Sequence, residues 1–305
     1  MIDVQRLRIL RAVAEHGSFN KAARALLLTP SAVSQHIASL ERTLGQRVAV
    51  RSTRGVTLTE PGRLLVEAAE TISAELDQVR HEIDRLTAPR PRLTVATFTS
   101  GGRRLLPEAL SRFVAVHPEV ELTVLESEPE AAVPMVRAGA ADLALAYHFD
   151  GPPPVRPGER PALDWVPLME DPLWLVLPRG HRLADRISIG LAELAAERWV
   201  LGCLKTEAFL RRYAELAGFD LRVGASTTDY FFAQTLVAAG VGVSLVPQVS
   251  RAPSPGSAAI RVEPPRPARH IGFVTPRRRR PHPYADTLTG ALTTAAASAR
   301  DGVRP

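Results

Sequence analysis

The chain has 305 residues, 45% of them hydrophobic and 23% charged, enough apolar material for two or three packed domains. No apolar run is long enough to cross a membrane, and the start, Met1-Ile-Asp-Val-Gln-Arg6, runs into an amphipathic helix without a secretory leader, so a soluble cytoplasmic protein without membrane contact is expected. The net charge of +6 is concentrated: residues 1–63 carry ten basic and four acidic side chains, and the rest of the chain carries 28 of each. Such a basic segment suits a phosphate backbone. The single cysteine, Cys203, excludes an internal disulfide and a multi-cysteine zinc site, and it reads better as a small buried apolar residue than as a redox sensor.

Residues 18–45, SFNKAARALLLTPSAVSQHIASLERTLG, read as two short helices joined by a tight turn. Ser18 is placed to cap the first, which packs through Ala22, Ala23 and Leu26, while Thr29-Pro30 supplies an N-cap followed by proline at the first helical position. The second helix then starts at about Ser31. Val33, Ile37, Leu40 and Leu44 form its buried stripe and turn Ser31, Ser34, Gln35, Ala38 and Arg42 outward. Short polar side chains near a helix N-terminus let it approach the major-groove floor, and glutamine is a residue type that bonds adenine bidentately. Taken alone, a small amphipathic helix pair is more often just a solvated pair. The local concentration of positive charge decides for DNA.

Residues 47–59 alternate as two strands around a basic turn containing Gly55, a winged hairpin with Arg51 and Arg54 at its tip for phosphate or minor-groove contact. Gly17-Ser-Phe-Asn-Lys-Ala-Ala23, Thr29-Pro-Ser-Ala-Val-Ser-Gln-His-Ile37, Leu40-Glu41, Leu44-Gly45 and Leu58-Thr-Glu-Pro-Gly62 together resemble the winged helix-turn-helix of LysR-type transcriptional regulators. Gly139-Ala-Ala-Asp-Leu143, Leu173-Trp-Leu-Val-Leu-Pro178 and 236–247, LVAAGVGVSLVP, resemble stretches of that family's effector domain. The likeness covers nearly the whole chain. Val48-Ala49-Val50 departs from the bulkier Leu-Phe pair more usual there, leaving less side chain to pack the wing. His36 flanks the outward helix and His16 precedes its partner, and both suit DNA contact or packing better than catalysis.

Residues 61–86 form one long helical pattern. Leu65, Ile72, Val79 and Leu86 recur every seven residues with Ala69, Leu76 and Ile83 between them, a heptad seam flanked by charge. A helix lying on its own domain would show part of this pattern, but more than three heptads favour a partner helix. In line with the family, we read a dimerisation helix that presents two DNA readers to successive major-groove faces. The resemblance also implies tetramers as dimers of dimers. Ala88-Pro-Arg-Pro-Arg92 ends the helix as a linker.

Beyond it, strands at 93–97, 120–125 and 143–147 alternate with helices at 105–117 and 131–138, a βαβαβ start to a parallel sheet. A second unit opens at 173–177. The proline-rich stretches 151–161 and 253–267 read as connections, and a strand at 271–275 and a helix at 283–297 close the chain. The expected architecture is therefore α+β and multi-domain. Residues 1–60 form the winged helix-turn-helix, 61–90 the dimerisation helix and hinge, and 91–305 an α/β effector domain. The resemblance makes that domain two-lobed, as in periplasmic binding proteins, with lobe I at 91–163 and 268–305 and lobe II at 164–267.

Ligands of open α/β sheets lie beyond strand carboxyl ends. Phe98-Thr-Ser-Gly-Gly102 with Thr99, Ser100 and Gly101, Gly202-Cys-Leu-Lys-Thr206 with Lys205 and Thr206, and Thr227-Thr-Asp-Tyr230 with Thr228, Asp229 and Tyr230 occupy such places. Each also suits an ordinary capped helix start, and their places in the family's cleft decide for an effector. Hydroxyls, helix starts and Lys205 favour a small anion, while Asp229 also admits a zwitterion. No G-x-S-x-G, P-loop, H-E-x-x-H or C-x-x-C occurs, and Gly240-Val-Gly242 runs on into Val-Ser-Leu without completing a dinucleotide fingerprint. Catalytic residues, metal and cofactor are not expected. A solute-binding transport component would share the lobes but has no use for the basic first 63 residues.

Overall fold

Asp3 caps the first helix, α1 (Val4–His16), by accepting from Gln5 N at 3.0 Å, and Gly17 ends it at φ 59°, a left-handed backbone that glycine adopts without penalty. Helices α2 (Phe19–Ala25) and α3 (Pro30–Leu44) follow, then a hairpin of β1 (Ala49–Ser52) and β2 (Gly55–Leu58) and the 28-residue α4 (Glu60–Thr87). The computed structural model describes residues 2–52, 55–149, 163–277 and 282–301. It divides into two units, Met1–Thr87 and Ala88–Pro305.

In the first unit Leu10, Val13, Ala22, Val33, Leu40 and Val48 are completely buried in one cluster, so α1, α2 and α3 share a core with the start of the wing. Small side chains serve this closeness: a Cβ on Gly62 would fall 1.9 Å from Val48 O, so α4 begins hard against the strand. Val48 thus contributes a full side chain to the core despite its modest size, and Val50 points out at 45% exposure. Thr29 Oγ1 caps α3 by accepting from Ala32 N at 3.2 Å, with Pro30 in the first turn as expected. Ser18 stands at the N-cap of α2, but its side chain makes no capping bond.

The heptad residues of α4 divide. Ala69 is buried and Leu65 packs against the helix-turn-helix core, whereas Leu76, Val79, Ile83 and Leu86 are 51–85% exposed. Ile72 lies between, lining with Leu7, Ala69 and Leu76 a groove of about 410 Å³ between α1 and α4.

The second unit begins with β3 (Arg92–Thr97), α5 (Thr99–Arg104), α6 (Leu106–Val116), β4 (Glu121–Glu126), α7 (Pro129–Arg137) and β5 (Leu143–His148), with β4, β3 and β5 parallel and side by side. The helix expected at 105–117 is α6, and a short additional helix, α5, precedes it. Pro107, in the first turn of α6, has no N–H to continue α5, so the chain breaks at Leu105 and restarts. Helix α5 takes up 99–104, a stretch expected to open as a loop.

The 16-residue β6 (Leu163–Pro178) then runs through both lobes. Its first part, to Pro172, pairs with β12 (Ala268–Pro276), and its last part pairs with β10 (Ser244–Pro247) and β11 (Ser257–Val262). Pairing therefore keeps 164–172 in the first lobe's sheet, so the crossing falls near Pro172 and not at 163. Between these strands lie β7 (Ser188–Ile189), β8 (Arg198–Leu201), α8 (Thr206–Leu216), β9 (Arg222–Ser226) and α9 (Tyr230–Ala238), and α10 (Ala285–Asp301) closes the chain. The strand order β4-β3-β5-β12-β6-β11-β7 makes one sheet of eight with β10 branching from β6. Strand β11 lies within the proline-rich stretch 253–267: SAAIRV is free of proline and alternates with the pleat. The connection expected at 151–161 lies outside the described residues.

Each lobe has its own core. Leu93, Phe113, Leu143, Leu288 and Leu292 fill one, and Leu175, Leu177, Trp199, Leu210, Leu245 and Ile260 the other.

Candidate DNA-binding face and effector cleft

Helix α3 buries Val33, Ile37 and Leu40 and leaves Ser31, Gln35 and Arg42 exposed, with Ser34 and His36 half-buried at its edges. Ser34 Oγ donates to Pro30 O at 2.9 Å and accepts from Arg51 Nη2 at 2.7 Å. Arg51 also lies over the Phe19 ring, 3.8 Å from its centroid. A side chain expected to project from the wing is thus folded back over α2 and α3, because an aromatic face and a hydroxyl together hold a guanidinium well. Arg54 lies outside the described residues. Glu41, which has no role in the sequence reading, accepts from Val48 N at 2.9 Å and ties the strand to the helix carrying the exposed polar face.

In the second unit the residues expected to hold a ligand are largely engaged with other groups of the chain. Thr99 Oγ1 donates to Glu126 at 2.8 Å, and Thr206 Oγ1 donates to the Cys203 carbonyl at 2.6 Å. Buried Gly101 is a packing position, since a Cβ there would come within 2.8 Å of Phe98 and Leu145. Asp229 caps its own helix, accepting from Phe231 N at 2.7 Å, and Thr228 is exposed. Lys205 Nζ lies 3.2 Å from Glu128 and also bonds Glu130, both on the first lobe. Burial works against its charge, but the two glutamates outweigh that and raise its pKa.

Beneath these groups lies a buried network. Ser100 Oγ accepts from Arg269 Nη2 at 2.9 Å, and Arg269 Nε donates to Asp171 at 2.8 Å. Asp171 also accepts from Val249 N at 3.0 Å. Arg269 is 1% exposed and Asp171 0%, on the two strands that join the lobes. Burial pushes the Asp171 carboxyl up against the pull of Arg269, and Asp171 holds the guanidinium charged against its own burial. The rings of Tyr147, Phe98 and Tyr230 surround the guanidinium at 4.9, 5.1 and 5.8 Å. Tyr147 Oη donates to Glu128 at 2.8 Å and lies 3.8 Å from Cys203 Sγ; burial, Cys203 and Glu128 raise its pKa. Tyr230 is raised chiefly by burial, against the pull of Arg269 and of a hydrogen bond with Thr206.

Arg269, Asp171, Glu128, Glu130 and Tyr147 were missed from sequence. A signal existed for two of them, since Asp171 and Arg269 are charges inside strand-forming runs. Their pairing 98 residues apart had none. A separate cavity of about 370 Å³ in the first lobe is lined by Asp142, Asp164, Arg277, His282, Asp286 and Thr289 among others. Among the described residues no cluster of His, Cys, Asp and Glu suits a metal, and no helix is long and apolar enough to cross a membrane.

A winged helix-turn-helix in one unit and two α/β lobes joined by crossing strands in the other define a ligand-responsive DNA-binding regulator. Residues 4–63 match the model of the bacterial regulatory helix-turn-helix proteins of the lysR family, and residues 87–297 match the LysR substrate binding domain. The chain belongs to this family of DNA-binding transcriptional regulators with an effector-binding domain. It is 30% identical to the HTH-type transcriptional regulator IlvY of Escherichia coli, over 86% of this chain and 87% of that protein. It is 27% identical to a hydrogen peroxide-inducible genes activator of Pectobacterium carotovorum, over 94% and 96% of the two chains. The fold resembles that of full-length CbnR complexed with its target DNA, with a TM-score of 0.53, 23% identity and coverage of 97% and 100%.

Proposed function

We propose that the protein is a cytoplasmic homodimer, assembling further as a dimer of dimers, that reads DNA by binding and without catalysis. In this reading residues 1–60 contact DNA, 61–90 pair two copies, and 91–305 hold a small polar effector between the lobes. Gln35 and Ser31 read bases, with Ser34, Thr29, Ser18 and His36 at the margins of the same face. Arg42, Arg51 and Arg54 serve the phosphates.

The observation that carries the reading is the exposed polar face of α3 opposite the buried Val33, Ile37 and Leu40, with Leu44 half-buried at the end of the stripe, on the unit that holds the net positive charge. A salt titration with specific and scrambled duplexes tests it. A regulator binds the specific duplex more tightly and with a steep salt slope. Equal affinity for both duplexes at every salt concentration overturns the reading.

Thr99, Ser100, Gly101, Lys205, Thr206, Thr228, Asp229 and Tyr230 border the effector in this account, with Arg269 and Tyr147 beneath. The ion pairs from Lys205 to Glu128 and Glu130 join the lobes, so a ligand that competes with them favours a different lobe arrangement. Hydrogen peroxide belongs in the effector screen, because a relative is named for it and Cys203 lies buried beside Tyr147. Loss of a peroxide response in Cys203→Ser is its test.

A further inference from the structure

Past its crossing near Pro172, β6 carries Trp174, half-buried and opposite Val246 of β10. On its other side β11 pairs as far as Ile260 with Leu175, so Arg261 is the next step of the ladder and its side chain shares the face of Trp174. The Arg261 guanidinium lies 5.5 Å from the indole centroid. A second guanidinium comes from the turn that follows β10. Arg251 lies 4.0 Å from the same centroid, and Gln248, at the start of that turn, accepts from Trp174 Nε1 at 3.3 Å. Gln234 of α9 fixes the backbone on both sides of Arg251: its Nε2 donates to Ser250 O and its Oε1 accepts from Ala252 N, each at 2.9 Å. Strand register and a clamped turn therefore bring two positive charges to one aromatic ring.

This arrangement lacks an acid. Among the described residues neither guanidinium is paired with a carboxylate, and Glu263, two residues beyond Arg261, accepts from Ser188 Oγ at 2.8 Å. Arg251 is half-buried, and its Nε is closed off from solvent without an acceptor. Burial and then the charge of Arg261 push the Arg251 pKa down, with no carboxylate to oppose them. Arg269, the other guanidinium set among rings in this unit's interior, has Asp171 as its counter-charge. Two like charges on one indole, partly desolvated and unopposed, are unfavourable until an anion meets them.

We propose that Arg251 and Arg261 form a ligand site on the second lobe for an oxyanion, the carboxylate or phosphate group of a small molecule, bound by the N–H forks of both guanidiniums. Planar forks hold such a group with paired, charge-assisted hydrogen bonds, and Trp174 keeps the two forks together. The site shares no residue with the effector cleft and does not depend on it. Gln234 stands one turn of α9 beyond Tyr230, and Trp174 lies past the strand crossing.

The test is a titration of the full-length protein labelled with 5-fluorotryptophan and followed by fluorine NMR. The chain has three tryptophans, and Trp174→Phe identifies the signal of interest. Sodium phosphate, disodium succinate and sodium chloride are compared at equal ionic strength. Phosphate, succinate or both should shift the Trp174 signal to saturation, and chloride should not; which of the two acts tells a phosphate source from a carboxylate source. Arg251→Gln and Arg261→Gln should each weaken binding roughly tenfold or more, the loss of one charged fork. Arg51→Ala, in the DNA-binding unit, should leave the curve unchanged. No saturable shift with either anion, an equal shift with chloride, a curve that either glutamine variant leaves unchanged, or a curve weakened equally by Arg51→Ala overturns the proposal. Arg261 is exposed on its strand, so Arg261→Gln decides the matter if Arg251→Gln misfolds.

Discussion

Gln35 and Arg51 lie on the same face of the first unit but have different surroundings, and their substitutions should separate. Gln35 is exposed on α3, so Gln35→Ala is expected to cost about 1–3 kcal/mol of preference for the cognate duplex while leaving affinity for a scrambled duplex intact. Arg51→Ala removes a positive charge held by Phe19 and Ser34, and it should weaken binding to both duplexes and flatten the salt slope. Identical behaviour of the two variants in fluorescence anisotropy would falsify this division of roles. Deeper in the protein, Asp171→Ala leaves the Arg269 charge buried without its carboxylate, for a loss of about 3–5 kcal/mol in urea unfolding. Asp171→Leu combined with Arg269→Met should recover most of that loss. A double variant as unstable as the single one would mean that the pair is not the source.

At the scale of elements, α4 carries two functions in sequence. Its first half is spent on the helix-turn-helix core through Leu65 and Ala69, and its second half leaves Leu76, Val79, Ile83 and Leu86 uncovered within the chain. Exposed residues at heptad spacing suit a second copy of the helix. Leu76→Glu with Ile83→Glu should therefore halve the mass seen by light scattering while leaving the circular dichroism of the chain unchanged, since both positions are more than half exposed. Unchanged mass would remove the seam from the account. The heptad was legible in sequence because its period survives in any environment. Which half of it the chain uses for itself depends on where α1 and the wing strand come to rest, and no local pattern records that.

For the whole molecule, the division at Thr87 and Ala88 leads to a prediction about its parts. A fragment of residues 88–305 keeps both lobe cores and β6 intact, so it should unfold cooperatively and bind no DNA. Measurable affinity of this fragment for the specific duplex would show that the DNA reader extends beyond the first unit.

The winged helix-turn-helix was legible in sequence because its signals are local. Thr29-Pro30 starts a helix by capping chemistry, glycine after Leu44 stops it in the left-handed conformation, and Val33, Ile37 and Leu40 fix its buried side by spacing alone. The β-α alternation of the second unit was readable for the same reason. Other features depended on long-range contacts: β6 as one strand through both lobes and a strand between the prolines of 253–267. The cleft was the least legible. Thr99, Ser100, Lys205 and Asp229 were correctly seen to sit at strand ends and helix starts, but what each bonds is set by partners up to 169 residues away. Side-chain type and helical phase are properties of neighbouring residues along the chain. The charge balance of a cleft is a property of which strands the fold brings side by side, and that was decided only when β6 and β12 brought Asp171 and Arg269 together and α7 and α8 brought Glu128 and Glu130 to Lys205.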